Sequence, residues 1–441
     1  LLRSPALEEA EHWIASRPQG APQPAAETQV FLAESRRGAT RRRNVLTGSL
    51  AAGLVISLGL AGVASWQRGI AVEQRQIAEQ QRKRAEDTLA AATKTANGLI
   101  SELAHRFRDT TGVPVSLIKD ILDRARALQE QLIRSGATPD LRRSQAVALD
   151  EIVQTLIDQG DAKGALDAAR QSLQISQELA AADPGTVGPQ RDLAAAYANL
   201  GDAQIAQGDL SDALDSYRAD LGIAKRLADA SLADADLQNM LAGVYAKVGY
   251  AQVLRRDLTE ALEAFRAGLA ITKRLAVAMP DNVAWQRDLA IAYGSVGVVQ
   301  NLQGNRAEAL KSLQASLDVF VRLASSNSGD ADLQRDLSVS YNKLGETQEA
   351  QGDLAGALKS YKGGLEVVEG LAKSDPGNAT WQSDLVTSLM YVGDVAEAPE
   401  ARAALARALT IADALAHDGK LNAQQQNWPQ EIRDRLAKLP P

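Results

Sequence analysis

The stretch DLSVSYNKLGETQEAQGDLAGALKSY, Asp336 to Tyr361, decides how this chain folds. A tyrosine stands four residues before the glycine of a Leu-Gly pair, and a Gly-Asp turn follows seven beyond it. An Ala-Leu pair and a second aromatic come next. The order returns every 48 residues. Leu344-Gly345 matches Leu200-Gly201, Val248-Gly249, Val296-Gly297 and Val392-Gly393. Tyr341 matches Tyr197, Tyr245 and Tyr293, with Leu389 in the last copy, and Ala357-Leu358 matches Ala213-Leu214, Ala261-Leu262 and Ala309-Leu310. Gly160-Asp161 with Ala165-Leu166 marks an earlier copy; Leu409 and Leu415 mark a last one, four residues shorter. Fixed-period self-similarity means stacked units, each burying its apolar face on the next. Such an array offers a long surface rather than a cleft, so a binding role is expected before a catalytic one.

Each copy divides into two helical stretches. In one, Asn239 to Leu254 reads as helix A and Leu258 to Ala278 as helix B, joined by Arg255-Arg256-Asp257. Elsewhere the joint is Gln207-Gly208-Asp209, Gln303-Gly304-Asn305 or Gln351-Gly352-Asp353. Glycine supplies the left-handed turn that ends a helix, and Asp or Asn caps the next. Arg256 lacks that freedom, so its turn is expected to be the least favourable. Gly345 is expected at the helix crossing, where a larger side chain overpacks. Gly363 aligns with Ala219, Ala267 and Ala315 and is expected to accept one.

On these residues the chain resembles the tetratricopeptide repeat: Tyr341, Leu344-Gly345, Gly352, Ala357-Leu358 and Tyr361 fall on that family's signature. The resemblance implies an all-α, right-handed α-solenoid that binds protein or peptide on the concave face of its A helices. The family unit is about 34 residues; the longer unit here extends helix B (Leu365 to Lys373) and adds a capped loop, Ser374 to Asn378. The family register points Tyr250, Val253, Leu254, Val298 and Leu302 into the groove, an apolar centre, and Glu346 and Glu349 toward its acidic carboxyl end. Ile291 and Val339 face the same way. The Lys-Asn-Arg pattern with which some members hold carboxylate tails is missing: Ala198 and Asp202 stand at its first two positions. Close packing of the long helices, leaving no groove, fits the same residues.

Val45 to Trp66 carries no charged residue over 22 positions. At about 1.5 Å per residue that spans a bilayer core of roughly 30 Å. A buried core helix and a cleaved signal peptide ending near Gly62-Val63-Ala64 are the alternatives. Arg36, Arg37, Arg41, Arg42 and Arg43 precede the run, and only Arg68 and Arg75 follow within 15 positions. This asymmetry predicts a cytoplasmic amino end and extracytoplasmic repeats. Ser49, Gly53, Ser57, Ala61 and Ser65 form a ridge of small residues at a spacing of four. Two helices can approach closely along such a ridge, giving a homodimer; small residues are also simply common in membrane helices.

Residues 1–44 therefore read as a cytoplasmic linker with a basic cluster, 45–66 as a single transmembrane helix, and 67–111 as a helical stalk with weak coiled-coil character. Residues 112–138 read as an amphipathic capping helix, 139–418 as about six repeats, and 419–441 as a carboxyl-terminal capping helix and tail. The segments Ala6 to Pro18 and Phe31 to Arg37, with the anchor and stalk, resemble the middle of bacterial signalling proteins that carry a Toll/interleukin-1-receptor-like or caspase-like domain. That resemblance, and the start at Leu1, imply an effector domain upstream.

The chemistry of catalysis is sparse. His12, His105 and His417 are scattered, and cysteine is absent. No enzyme activity, cofactor or metal is expected. A net charge of -7 disfavours nucleic acid, whose phosphates need a basic face. The expected function is a membrane-anchored protein-interaction scaffold, the sensor or assembly part of a signalling protein. The alternatives are a structural oligomeriser working through the membrane helix and stalk, or a fragment of an enzyme whose catalytic domain lies upstream of Leu1.

Overall fold

The computed structural model describes residues 1–109, 127, 138–422 and 425–440. They form two units, Leu1–Thr88 and Leu89–Pro441. In the first, α1 (Ala6–Ala15) lies against the start of α2 (Ala26–Asp109). Leu7 and Ser35 are buried there, and the Leu2 amide donates to Ser35 Oγ at 2.9 Å. The basic cluster, the apolar run and the stalk differ in composition, yet all belong to the single helix α2. It is long and apolar enough to cross a membrane by length and composition, with a peak mean hydropathy of 1.9 and none of that window buried. The sequence assigned to an amphipathic cap, 112–138, lies almost wholly outside the described residues.

The second unit is built of helix pairs. The A helices are α3 (Pro139–Asp158), α5 (Val187–Gln207), α7 (Ala235–Leu254), α9 (Val283–Leu302), α11 (Ala331–Gln351) and α13 (Ala379–Val395). Their B partners are α4 (Ala162–Ala182), α6 (Leu210–Ala230), α8 (Leu258–Ala278), α10 (Arg306–Ser326), α12 (Leu354–Ser374) and α14 (Ala398–His417). A last helix, α15 (Trp428–Lys438), packs on α14 with Ile432 fully buried. Every helix touches the next, and each A helix also touches the next A helix. No such row joins the B helices among the described residues, so the A helices form the tighter, concave layer. This is an all-helical solenoid.

Three repeated contacts explain the stacking. The glycine of each Leu-Gly pair faces a large side chain of its own B helix. A methyl group on Gly201 would stand 2.5 Å from the ring of Tyr217; Gly249 faces Phe265, Gly297 Leu313, Gly345 Tyr361 and Gly393 Leu405 in the same way. Only glycine lets the two helices cross this closely. Second, a glutamine early in each A helix reaches back to the end of the preceding B helix. Gln190, Gln238, Gln286, Gln334 and Gln382 donate to the carbonyls of Ala180, Ala228, Ala276, Ala324 and Ala372, at 2.9 to 3.5 Å. Carbonyls at a helix end lack an intrahelical partner, and this clasp supplies one. Third, Gln204, Gln300 and Gln348 pair inside the hairpin with Ser216, Ser312 and Ser360.

The α7–α8 hairpin departs from the pattern twice. Ala264 replaces the serine, leaving Gln252 Oε1 buried without a partner. Its turn places Arg256 at φ 68°, where Gly160, Gly208, Gly304 and Gly352 stand in other copies. Arg256 thus adopts the left-handed conformation that glycine supplies in those copies. Gly363 is tighter than the sequence suggests: a methyl group there would stand 2.9 Å from the ring of Tyr341, which must give way for it to fit.

Candidate groove on the A helices

Two clusters of tyrosine, carboxylate and lysine stand toward the two ends of the concave layer. Toward the amino end, Asp202 accepts from Tyr217 Oη at 2.6 Å, from Lys247 Nζ at 2.7 Å and from Gln154 Nε2 at 3.2 Å. Toward the carboxyl end, Glu346 accepts from Tyr391 Oη at 2.5 Å and Lys343 Nζ at 3.0 Å, while Tyr361 Oη donates to Glu349 at 2.8 Å. Tyr361 and Tyr391 stack, with ring centroids 4.9 Å apart. Burial, with the neighbouring carboxylates adding, pushes all three phenols far above their ordinary range. They stay protonated donors.

Between these clusters each polar position turns apolar or small. Asp202 and Glu346 correspond to Tyr250 and Val298; Lys247 and Lys343 correspond to Ser295; Tyr217 and Tyr361 correspond to Phe265 and Leu313. The smallest residue at its position, Gly294, stands where other copies carry Ala198, Ala246, Asn342 and Met390. The result is a mainly apolar cavity of about 320 Å³ lined by Tyr250, Val253, Ile291, Val298 and Val339, by Phe265 and Phe320 of the B helices, and by Asp336 and Lys343 toward the carboxyl end. Tyr250 is 52% exposed, Ile291 45% and Val339 48%. Soluble surfaces seldom leave such residues together in water without a use.

The structure thus brings together Tyr250, Val253 and Val298 of the five groove residues expected from the sequence. Leu254 and Leu302 are exposed but stand outside the cavity walls, nearer the helix ends. Phe265 and Phe320 were missed, because the register assigned the groove to A helices alone. Both sit on B helices and reach it only because Gly294 and Ser295 are small. Ser49, Gly53, Ser57, Ala61 and Ser65 lie on α2, all exposed. The hydroxyls of Ser49, Ser57 and Ser65 donate to their own helix, to the carbonyls of Leu46, Leu54 and Gly62.

A ladder of ion pairs runs along the same layer. Arg143 donates to Asp192 at 2.5 Å, Arg287 to Asp336 at 2.5 Å and Arg335 to Asp384 at 2.6 Å, each pair 49 residues apart. No group of three His, Asp or Glu side chains among the described residues could hold a metal ion.

No protein-family profile matches the sequence, and no curated protein does. Among solved structures, BtubC (BKLC) from P. vanneervenii is similar over 57% of this chain and 91% of its own, at 20% identity and a TM-score of 0.43. The apo form of RapI is similar over 72% and 81%, at 13% identity and a TM-score of 0.46. A putative kinesin light chain from Podosopora anserina, with nearly identical TPR-like repeats, is similar over 54% and 98%, at 16% identity and a TM-score of 0.35. RapI and the kinesin light chain are all-helical, TPR-like repeat proteins. The likeness is loose and carries no binding residue onto this chain.

Proposed function

We propose that the repeat array is a protein-interaction scaffold that takes apolar side chains of a partner protein or peptide in the central cavity of its A-helix groove. One observation carries this reading: the clusters of tyrosine, carboxylate and lysine are replaced over two hairpins by the exposed Tyr250, Ile291 and Val339 and the half-buried Val298 around one cavity. Peptide segments bind such grooves by seating a few anchor side chains.

We further propose that Val45 to Trp66 anchors the scaffold in a bacterial inner membrane, with the repeats outside the cytoplasm. The uncharged run and the arginine asymmetry support this. A reporter active only in the cytoplasm, fused after Pro441, would reverse the orientation by being active. A part in signalling rests on the resemblance of the first segments alone. For the small-residue ridge, the returned serine hydroxyls favour association by close packing rather than by hydrogen bonds between helices.

The groove is tested by selecting a displayed random-peptide library on the full chain in detergent micelles. Selected peptides are expected to lose binding to Tyr250→Asp plus Val298→Asp, and to keep it with Glu346→Gln plus Glu349→Gln. Circular dichroism checks that both variants are folded. The opposite pattern would move the site to the acidic end and sink the apolar reading.

A further inference from the structure

The Arg–Asp ladder stops at the α7–α8 hairpin and resumes beyond it. Each rung needs arginine at one position and aspartate one position later in the next copy. This hairpin supplies Asn239 and Met240 at those places. Two rungs are therefore missing, and each leaves one charge behind: Arg191, exposed on α5, and Asp288, half-buried on α9. Neither has a hydrogen bond or ion pair among the described residues, whereas Asp192, Asp336 and Asp384 at the equivalent place are all paired.

Both orphaned charges line one continuous groove. Arg191 borders a recess of about 680 Å³ between α3, α5 and α7. Gly243 belongs to it and also to a second recess of about 240 Å³, which Asp288 lines. The second recess shares Phe265, Ile291 and Ser295 with the apolar cavity. The order along the groove is Arg191, then Asp288, then the apolar cavity. Adjacent packed helices lie about 8–10 Å apart, so two charges two A helices apart stand roughly 16–20 Å apart. An extended chain covers that in about five or six residues. The recesses beside Asp288 and Tyr250 are side-chain sized, too small for a helix about 10 Å across, which selects an extended occupant.

We propose that the groove binds an extended segment of a partner protein with a fixed charge order. An acidic side chain replaces the missing partner of Arg191. A basic one, about five residues away, replaces that of Asp288, and apolar side chains just beyond it fill the cavity beside Tyr250. This rests on the groove reading above and adds to it the chemistry of the occupant.

The test uses the full chain in detergent micelles and fluorescein-labelled synthetic peptides. One peptide carries Glu, a Ser/Thr spacer, Lys about five residues on, and a Leu-Val-Phe tail next to the Lys. Its counterpart exchanges Glu and Lys. Each is made in both chain directions, because only the order along the groove is specified. Anisotropy titrations are expected to show the first order bound at least about tenfold more tightly, as two charge-assisted contacts allow. Asn239→Arg plus Met240→Asp rebuilds both rungs and is expected to abolish that preference; Tyr250→Asp should weaken both orders alike. Equal binding of the two orders, or a preference that survives the rebuilt ladder, overturns the charge order and leaves the apolar groove standing if Tyr250→Asp still weakens both. Binding of neither order overturns the proposal, and the library selection then decides the groove on its own.

Discussion

Tyr361 closes the helix crossing over Gly345: a methyl group on that glycine would stand 2.5 Å from the ring. The ring is fully buried, stacked on Tyr391, and tethered by its hydroxyl to Glu349, so it cannot retreat. Gly345→Ala is expected to cost about 1–3 kcal/mol. A methyl group on Gly363 would stand 2.9 Å from the ring of Tyr341, but Ala219, Ala267 and Ala315 occupy its position in copies that carry Tyr197, Tyr245 and Tyr293 at the position of Tyr341. Those copies accommodate the methyl, so Gly363→Ala is expected to gain up to about 1 kcal/mol through lower unfolded-state entropy. Urea denaturation of the full chain in detergent separates them; equal losses would reject this account of the crossing.

Arg256 is the one non-glycine residue with positive φ among the described residues. A side chain in that conformation costs roughly 1–2 kcal/mol. Arg256→Gly is expected to recover about 1 kcal/mol, and Gly304→Arg to lose a similar amount. Thermal melts of the two variants check this, and a destabilised Arg256→Gly would show that the arginine side chain outweighs its backbone.

The glutamine clasp predicts a local effect. Gln286→Met removes the bond to the Ala276 carbonyl and should cost about 1 kcal/mol. Gln190→Met should cost less, since its bond to Ala180 is 3.5 Å long. Hydrogen exchange is expected to quicken at the end of α8 in the first variant. Faster exchange spread evenly over the whole array would refute a clasp.

Asp220 makes stability depend on pH. It is 2% exposed, and its Oδ1 has no partner. At the equivalent position Ser172 and Ser316 donate to the carbonyls of Ala146 and Ala290, which an ionised carboxylate cannot do. Burial raises Asp220 from 3.8 to about 7, with Asp202 adding and Lys247 opposing. The native state therefore holds this proton more tightly than the unfolded chain. Its contribution is complete below about pH 4 and lost as pH rises through about 7. Burial also raises Asp150, to about 6, in the same sense. Asp220→Ser is expected to stabilise by on the order of 1–3 kcal/mol at slightly alkaline pH and by less in mild acid. Parallel melting curves for the variant and the native chain across that range would exclude the effect.

The repeat was legible because its register is carried by residues that have few substitutes. The Gly-Asp turns and the Ala-Leu pairs mark helix ends and crossings, and the helix read as Leu258 to Ala278 is α8 to the residue. The clasp was not legible: a glutamine near a helix start looks like a solvated residue until the carbonyl ten positions back is placed beside it. The ladder was hidden for a similar reason, since its partners lie 49 residues apart in sequence. The groove was half legible. Tyr250 and Val298 followed from the register, whereas Phe265 and Phe320 depend on the depth that small residues open between helices. Along α2 the changes in composition suggested separate segments, but nothing from Ala26 to Asp109 interrupts the backbone.

The clasp also bears on how such a chain can lengthen. This part of the joint between units is made by one uncharged side chain and one backbone carbonyl, and both recur from copy to copy. An in-frame duplication of a single period would arrive with its own clasp, whichever copy was duplicated. Growth of the array would then be limited by what the new length can hold, not by the seam it creates.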